Sequence, residues 1–196
     1  FDIISFDSYP SEIRGFGKCV AHFRISSEKA LSPGKRADVL VALNDAHSLE
    51  QLDTLKENGI VIFDSKPPKY HEEDKSVAGW LRPGMVPYGI PLHELAQKAA
   101  GSARGRNMVA LGAMAWLFDV DADKLGEFIR ARYAKKSQKI IDANLTSFTY
   151  GYQWTGEHRT KAKGYSFQDV VLDQSSPDKL ILSGNQALAR GAVDSG

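Results

Sequence analysis

The segment Gly101-Ser102-Ala103-Arg104-Gly105-Arg106-Asn107 sets two guanidiniums on glycine-punctuated backbone, just ahead of an apolar run, Met108–Phe118. Free N–H groups and the positive end of a helix dipole favour an anion at such a point, and arginine forks suit phosphate. The plainer reading is that Asn107 caps the helix while both arginines stay in water. A second glycine-bearing stretch, Gly15-Phe16-Gly17-Lys18, leads into a strand. It therefore lacks the helix start that would receive a phosphate and reads as a tight turn. Just before it stand Glu12 and Arg14. The loop Glu12–Lys18 is expected at an edge facing other domains, with Arg14 paired to a carboxylate or to carbonyls.

Other reactive side chains point to little chemistry. The histidines at 22, 47, 71, 93 and 158 form no metal-ligand spacing. His22 reads as a structural strand residue, and His71 falls in a charge run. No G-x-S-x-G elbow, Walker loop or G-x-G-x-x-G after a strand is present. The single cysteine, Cys19, excludes a disulfide framework or a Cys-cluster metal site, and a reducing, cytoplasmic setting is expected. Arg130, Arg132, Lys135, Lys136 and Lys139 form a basic run without interleaved aromatics. That argues against nucleic acid and for a solvated face or a surface docking an acidic partner.

Elements that could position these groups follow from patterning. With 196 residues, 42% hydrophobic, 25% charged and a net charge of +1, the chain has an ordinary globular balance. It is not built to coat nucleic acid, and no apolar run reaches the about 18–20 residues of a membrane span. Phe1–Phe6 and Cys19–Ile25 read as strands joined by an antiparallel or irregular link. Val39–Leu43 and Ile60–Phe63 read as strands buried on both faces. Between them Leu49, Leu52 and Leu55 suggest a helix over Asp45–Lys56, ended by Gly59. Met85–Ile90 reads as a strand and Pro91 as the first turn of a helix to Ala100. Further helices are expected over Met108–Phe118, from Asp121 or Asp123, and through Ile141, Leu145, Phe148 and Tyr152. Val109, Leu111, Leu117, Leu125, Phe128 and Ile129 are the expected core against the sheet.

The predicted fold is α/β: a three-layer α/β/α, Rossmann-like domain with a mixed sheet over 1–152. A polar linker over 153–178 and the start of a second domain over 179–196 follow. The chain begins without Met, with no signal-peptide pattern, and closes soon after a helical pattern starts. Both ends read as cut.

Three stretches together resemble one family. Ser8-Tyr9-Pro10-Ser11-Glu12-Ile13-Arg14-Gly15-Phe16-Gly17, with Cys19–Ser26 and Ala37–Asn44, is similar to the S-Y-x-P-E-x-R-G-G loop and following strands of the gamma-type domain of 2-oxoacid:ferredoxin (acceptor) oxidoreductases. Arg106–Ala113 resembles that domain's x-N-x-V-x-L-G-A helix. Leu182–Ala192 resembles the S-G-N-E-A opening of the alpha-type domain, with Gln186 in place of Glu. Phe16 likewise departs from the second glycine of R-G-G, and the family's N-terminal glycine loop is absent.

The resemblance implies a gamma-type domain fused ahead of an alpha-type domain, as in the 2-oxoglutarate branch. It implies oxidative decarboxylation of a 2-oxoacid to an acyl-CoA. Thiamine diphosphate, Mg, an iron–sulfur cluster and CoA would act in the complete enzyme, with none held by this chain alone. The remaining alpha domain, a beta subunit and ferredoxin or a similar acceptor would be partners. It assigns no catalytic residue and no metal ligand here, and makes Arg104, Arg106 and Asn107 the candidate CoA contacts. The competing reading is a non-catalytic α/β nucleotide-binding or partner-binding module.

Overall fold

In the computed structural model, which describes residues 2–8, 19–68, 76–164 and 182–195, the apolar runs become strands β1 (Asp2–Ser8), β2 (Val20–Ser26), β3 (Ala37–Ala42), β4 (Leu55–Asp64) and β5 (Val86–Ile90). The helices are α1 (Asp45–Ser48), α2 (Leu92–Ala100), α3 (Arg106–Leu117), α4 (Ala122–Tyr133), α5 (Gln138–His158) and α6 (Gly184–Asp194). The α/β class stands. Antiparallel and parallel pairings both occur, but among the described residues they form two separate ladders.

The molecule divides into two units, Phe1–Gly34 with Val170–Gly196, and Lys35–Asp169. The span 1–152 contributes residues to both units. In the first unit β1 and β2 pair antiparallel in unbroken register, from Asp2↔Ser26 to Ser8↔Val20. His22 stacks on Phe6 at 4.6 Å, a structural role. Cys19 is exposed. Glu12, Arg14, Gly15 and Gly17 lie outside the described residues. At α6 the Gln186 N–H donates to Ser183 Oγ (3.3 Å) and the Ser183 N–H donates to Gln186 Oε1 (2.8 Å). Glutamine closes the same capping box that glutamate would.

In the second unit β3, β4 and β5 form a parallel sheet in that order, with Val39↔Ile60 and Ile60↔Val86 in register. Side chains alternate across β4. Ile60 and Ile62 face a core with α2 and α3. Val61 and Phe63 face another with Leu52, Leu55 and Val77. The expected helix over Asp45–Lys56 is instead the single turn α1 followed by a 3₁₀ segment, Leu49–Thr54, and Leu55 already belongs to β4. Leucines spaced strictly by three fit 3.0 residues per turn, so they line one side of a 3₁₀ helix. Gly59 lies inside β4, next to a register irregularity.

Helix α5 is packed onto α3 with almost no separation. A Cβ on Gly112 would fall on the Phe148 carbonyl oxygen and 2.9 Å from Tyr152 N, and one on Gly151 would fall on the Val109 carbonyl. Only glycine allows the two backbones to approach so closely. Thr155, fully buried, is satisfied within α5, its Oγ1 donating to the Gly151 carbonyl at 2.7 Å.

Two expectations fail in this region. Phe128 is 61% exposed, and Ile129 is buried against Ala115 and Phe148 rather than the sheet. Helix α4 packs chiefly on α5 and α3 and buries one narrow stripe through Gly126 and Ile129, leaving Phe128 outside it. Helix α5 continues past 152 to His158. Arg159 Nε then donates to the Gly89 carbonyl (3.1 Å), Ala162 N–H donates to the Leu117 carbonyl (3.0 Å), and Ala162 is in the core. Polar composition hid the fact that these side chains stitch backbone.

Candidate functional site

Parallel strands present their carboxyl ends to one edge, where ligands bind in open α/β sheets. Here that edge carries Asp64 at the end of β4, Asp45 after β3, and the beginning of α2. Asp64, 5% exposed, accepts from Lys66 N–H at Oδ1 (3.0 Å) and from His93 N–H at Oδ2 (2.9 Å). Helix α2 begins after Pro91, which offers no capping side chain. The carboxylate of Asp64 therefore caps α2 from another element and satisfies its positive end.

Asp45 is half-buried and accepts from Val77 N–H at 3.3 Å. Burial pushes its carboxyl pKa up, assisted by the neighbouring Asp64 carboxylate. The Val77 N–H, the Ser76 hydroxyl and the Arg106 guanidinium pull it back. His93 Nδ1 is the one buried side-chain nitrogen or oxygen without a hydrogen-bond partner among the described residues. Glu94, on the exposed side of α2, is held down to about 2 by hydrogen bonds from Lys98 (2.7 Å) and Lys66 (3.0 Å).

The start of α3 contrasts with that of α2. A 3₁₀ turn, Ala103–Gly105, precedes it, begun by Ser102, whose Oγ accepts from Arg104 N–H at 3.3 Å. Gly105 occupies the N-cap with no side-chain hydrogen bond. Asn107 is not the cap: it lies within the first turn, exposed, its Oδ1 accepting only from Met108 N–H at 3.0 Å. Arg104 is exposed and Arg106 half-buried. The structure thus sets Arg104, Arg106 and Asn107 at an uncapped helix start. The reading of the residues alone missed Asp45, Asp64 and His93. Their only sequence signal is placement just after apolar strand runs or at a helix start. Among the described residues no group of three or more His, Cys, Asp or Glu is placed to hold a metal, and no helix is long and apolar enough to cross a membrane.

A parallel three-stranded sheet ending in this edge, with a glycine-packed helix pair, defines an α/β domain. The model of the pyruvate ferredoxin/flavodoxin oxidoreductase family matches residues 1–154, and the chain belongs to that family. Relatives are oxidoreductase subunits. The chain is 28% identical to the 2-oxoglutarate oxidoreductase subunit KorA of Mycobacterium tuberculosis, over all of this chain and 32% of the relative. It is 33% identical to the ketoisovalerate oxidoreductase subunit VorA of Methanothermobacter thermautotrophicus, over 78% of this chain and 30% of the relative. It is also 31% identical to the indolepyruvate oxidoreductase subunit IorB of Archaeoglobus fulgidus, over 77% of this chain and 79% of that subunit.

Among solved structures, the 2-oxoglutarate:ferredoxin oxidoreductase of Magnetococcus marinus, with 2-oxoglutarate, coenzyme A and succinyl-CoA bound, superposes with a TM-score of 0.66. That match is at 29% identity, over 84% of this chain and 27% of that one. The gamma subunit of a keto/oxoacid ferredoxin oxidoreductase from Geobacter sulfurreducens shares the fold (TM-score 0.56, 22% identity, 79% and 80% covered). The chain spans about a third of the length of the KorA and VorA relatives.

Proposed function

We propose that this chain is the gamma-type part of a multi-subunit 2-oxoacid:ferredoxin oxidoreductase, leading into an alpha-type domain. The complete enzyme would convert a 2-oxoacid, 2-oxoglutarate first among them, to its acyl-CoA. The observation that carries the reading is the family match over residues 1–154. The 2-oxoglutarate preference is supported by the KorA relative, aligned along the whole chain, and by the Magnetococcus structure. A cytoplasmic setting is supported by the single cysteine.

On this reading thiamine diphosphate with Mg and the iron–sulfur cluster belong to the remaining alpha domain and the beta subunit, with ferredoxin or a similar acceptor taking the electrons. Thiamine diphosphate supplies the carbanion stabilisation of the decarboxylation. The residues of this chain do not suit a cluster, since one cysteine cannot supply the usual four thiolates. We assign it no catalytic residue, and alone it would be inactive. Its part is architectural and near the CoA path. Arg104, Arg106 and Asn107 would meet a CoA phosphate at the start of α3. The Glu12–Gly17 loop, with Arg14, would serve assembly.

Purification of the intact enzyme tests this reading. It predicts co-purification with a polypeptide carrying thiamine diphosphate and clusters, and CoA-dependent oxidation of 2-oxoglutarate. A stable chain without partners that binds free nucleotide would favour the binding-module reading instead.

A further inference from the structure

The α4–α5 side of the second unit carries a feature that the reading above does not use. A groove of about 320 Å³ opens between the two helices, lined by Gly126 and Arg130 of α4 and by Leu145, Phe148, Tyr152 and Gln153 of α5. Gly126 forms its floor, and the Arg130 guanidinium folds back over it: a Cβ there would stand 3.4 Å from Arg130 Nη1. Arg130 makes no ion pair among the described residues, and Asp123, which also lines the groove, lies two helical turns before it.

The groove runs toward a strongly charged surface. From 130 to 139 the chain has five cations, Arg130, Arg132, Lys135, Lys136 and Lys139, and no acid. All five are exposed, and none is ion-paired among the described residues. Arg130 and Arg132 lie in the last turn of α4, and Lys135 and Lys136 just beyond it, where the helix dipole favours a cation. Lys139 lies in the first turn of α5, where it does not. Helix self-stabilisation therefore leaves part of the cluster unexplained. Ile140 is also 42% exposed beside it.

An unpaired guanidinium in an apolar groove suits a carboxylate flanked by an apolar side chain. A field of one sign around the groove steers and selects a partner of the opposite sign. The volume is at the small end of ligand pockets, about 300 Å³. It suits an inserted side chain, with the lysines reaching along a longer occupant. We propose that the α4–α5 groove and the Arg130–Lys139 cluster dock an acidic, amphipathic segment of another polypeptide of the oxidoreductase, with an apolar side chain in the groove and a carboxylate on Arg130. This rests on the chain being one part of a multi-subunit enzyme.

A zero-length carbodiimide cross-linker joins lysine to carboxylate only where the two touch. Applied to the intact purified enzyme, it should link Lys135, Lys136 or Lys139 to Asp or Glu of a second polypeptide, in a segment with apolar residues at helical spacing. Arg130→Glu with Arg132→Glu should cut that product about tenfold, as expected for a charge contact. Thr149→Trp, which fills the groove from an exposed position without changing charge, should cut it as well. Both variants are checked for unchanged circular dichroism. If either variant unfolds, Lys135→Glu with Lys136→Glu, in the exposed turn, replaces it.

An intact complex whose cross-links avoid these lysines would overturn the proposal, as would variants that fold normally and leave the product unchanged. Tight binding of a labelled single-stranded oligonucleotide, abolished by the charge reversal, would also overturn it. A chain that purifies with no partner would overturn the multi-subunit reading itself and the docking proposal with it.

Discussion

Helices α2 and α3 follow one another directly after β5, yet their N-termini are treated differently. The first receives a buried carboxylate from another element: Asp64 accepts from His93 N–H at 2.9 Å and from Lys66 N–H at 3.0 Å. The second starts at Gly105 with no side-chain cap, beside an exposed Arg104. A helix end that meets its own anion has little left to offer a ligand, whereas an uncapped one keeps its N–H groups and dipole available. Arg106, half-buried, adds to that charge and also lowers the Asp45 carboxyl pKa through its field. The difference separates a structural helix start from one that can receive a phosphate.

The comparison breaks most severely if α3 is displaced. Gly151→Ala would drive a Cβ into the Val109 backbone. Backbone cannot give way as a side-chain tip can, so we expect a loss of about 3 kcal/mol in chemical denaturation. Gly191→Ala is the control, since nothing lies within 4 Å of a Cβ there. In the middle of α6 that change should be neutral or stabilising by up to about 1 kcal/mol. Equal effects at the two glycines would remove the tight seam from the account.

A smaller effect sharpens the contrast between the two helix starts. Asp64→Ala leaves two N–H groups without their acceptor and should cost about 1–3 kcal/mol. Asn107→Ala at α3 should stay within about 0.5 kcal/mol, since Asn107 holds only its neighbour's N–H. Denaturation midpoints of the two variants check this. A large loss at Asn107 would mean that α3 is capped after all.

The smallest effect is in pH dependence. Glu94 has a folded pKa of about 2, below its ordinary 4.5, because Lys98 and Lys66 hold it. Its contribution is present above the ordinary value and lost as pH falls toward about 2. Asp45 has the opposite sign, raised by burial. Its contribution is present below the ordinary Asp value and declines as pH rises through the raised one. Carboxyl titration by NMR should place Asp45 above 3.8 and Glu94 well below 4.5. Asp45→Asn should flatten the decline on the high-pH side. Midpoints in the reverse order would contradict the assigned environments.

Much of the fold was legible because burial on both faces of β4 leaves an unbroken run, Ile60-Val61-Ile62-Phe63, that needs no distant information to read. The α3 start was legible as well, through its glycines and arginines. What failed depended on contacts far along the chain. Asp64 reaches a helix start 29 residues away, which no local pattern announces. Phe128 shares a face with Leu125 on a helical wheel, but α4 is clasped by α5 along a narrower stripe through Gly126 and Ile129. Asn107 looked like a cap because the 3₁₀ turn that moves the helix start to Gly105 depends on Ser102 bonding to Arg104 N–H. Arg159 and Lys161 read as polar linker residues, and what local composition does not announce is that they hold the Gly89 and Trp116 carbonyls.

The central claim is that the uncapped start of α3 meets a CoA phosphate through Arg104. Its most direct test is steady-state kinetics of Arg104→Glu in the intact enzyme. Arg104 is exposed and makes no side-chain hydrogen bond among the described residues, so its reversal should leave folding unchanged. The account predicts a KM for CoA raised about tenfold or more, with the KM for the 2-oxoacid and kcat nearly unchanged. An unaltered KM for CoA in the folded, assembled variant would contradict it and leave the α3 start a surface feature.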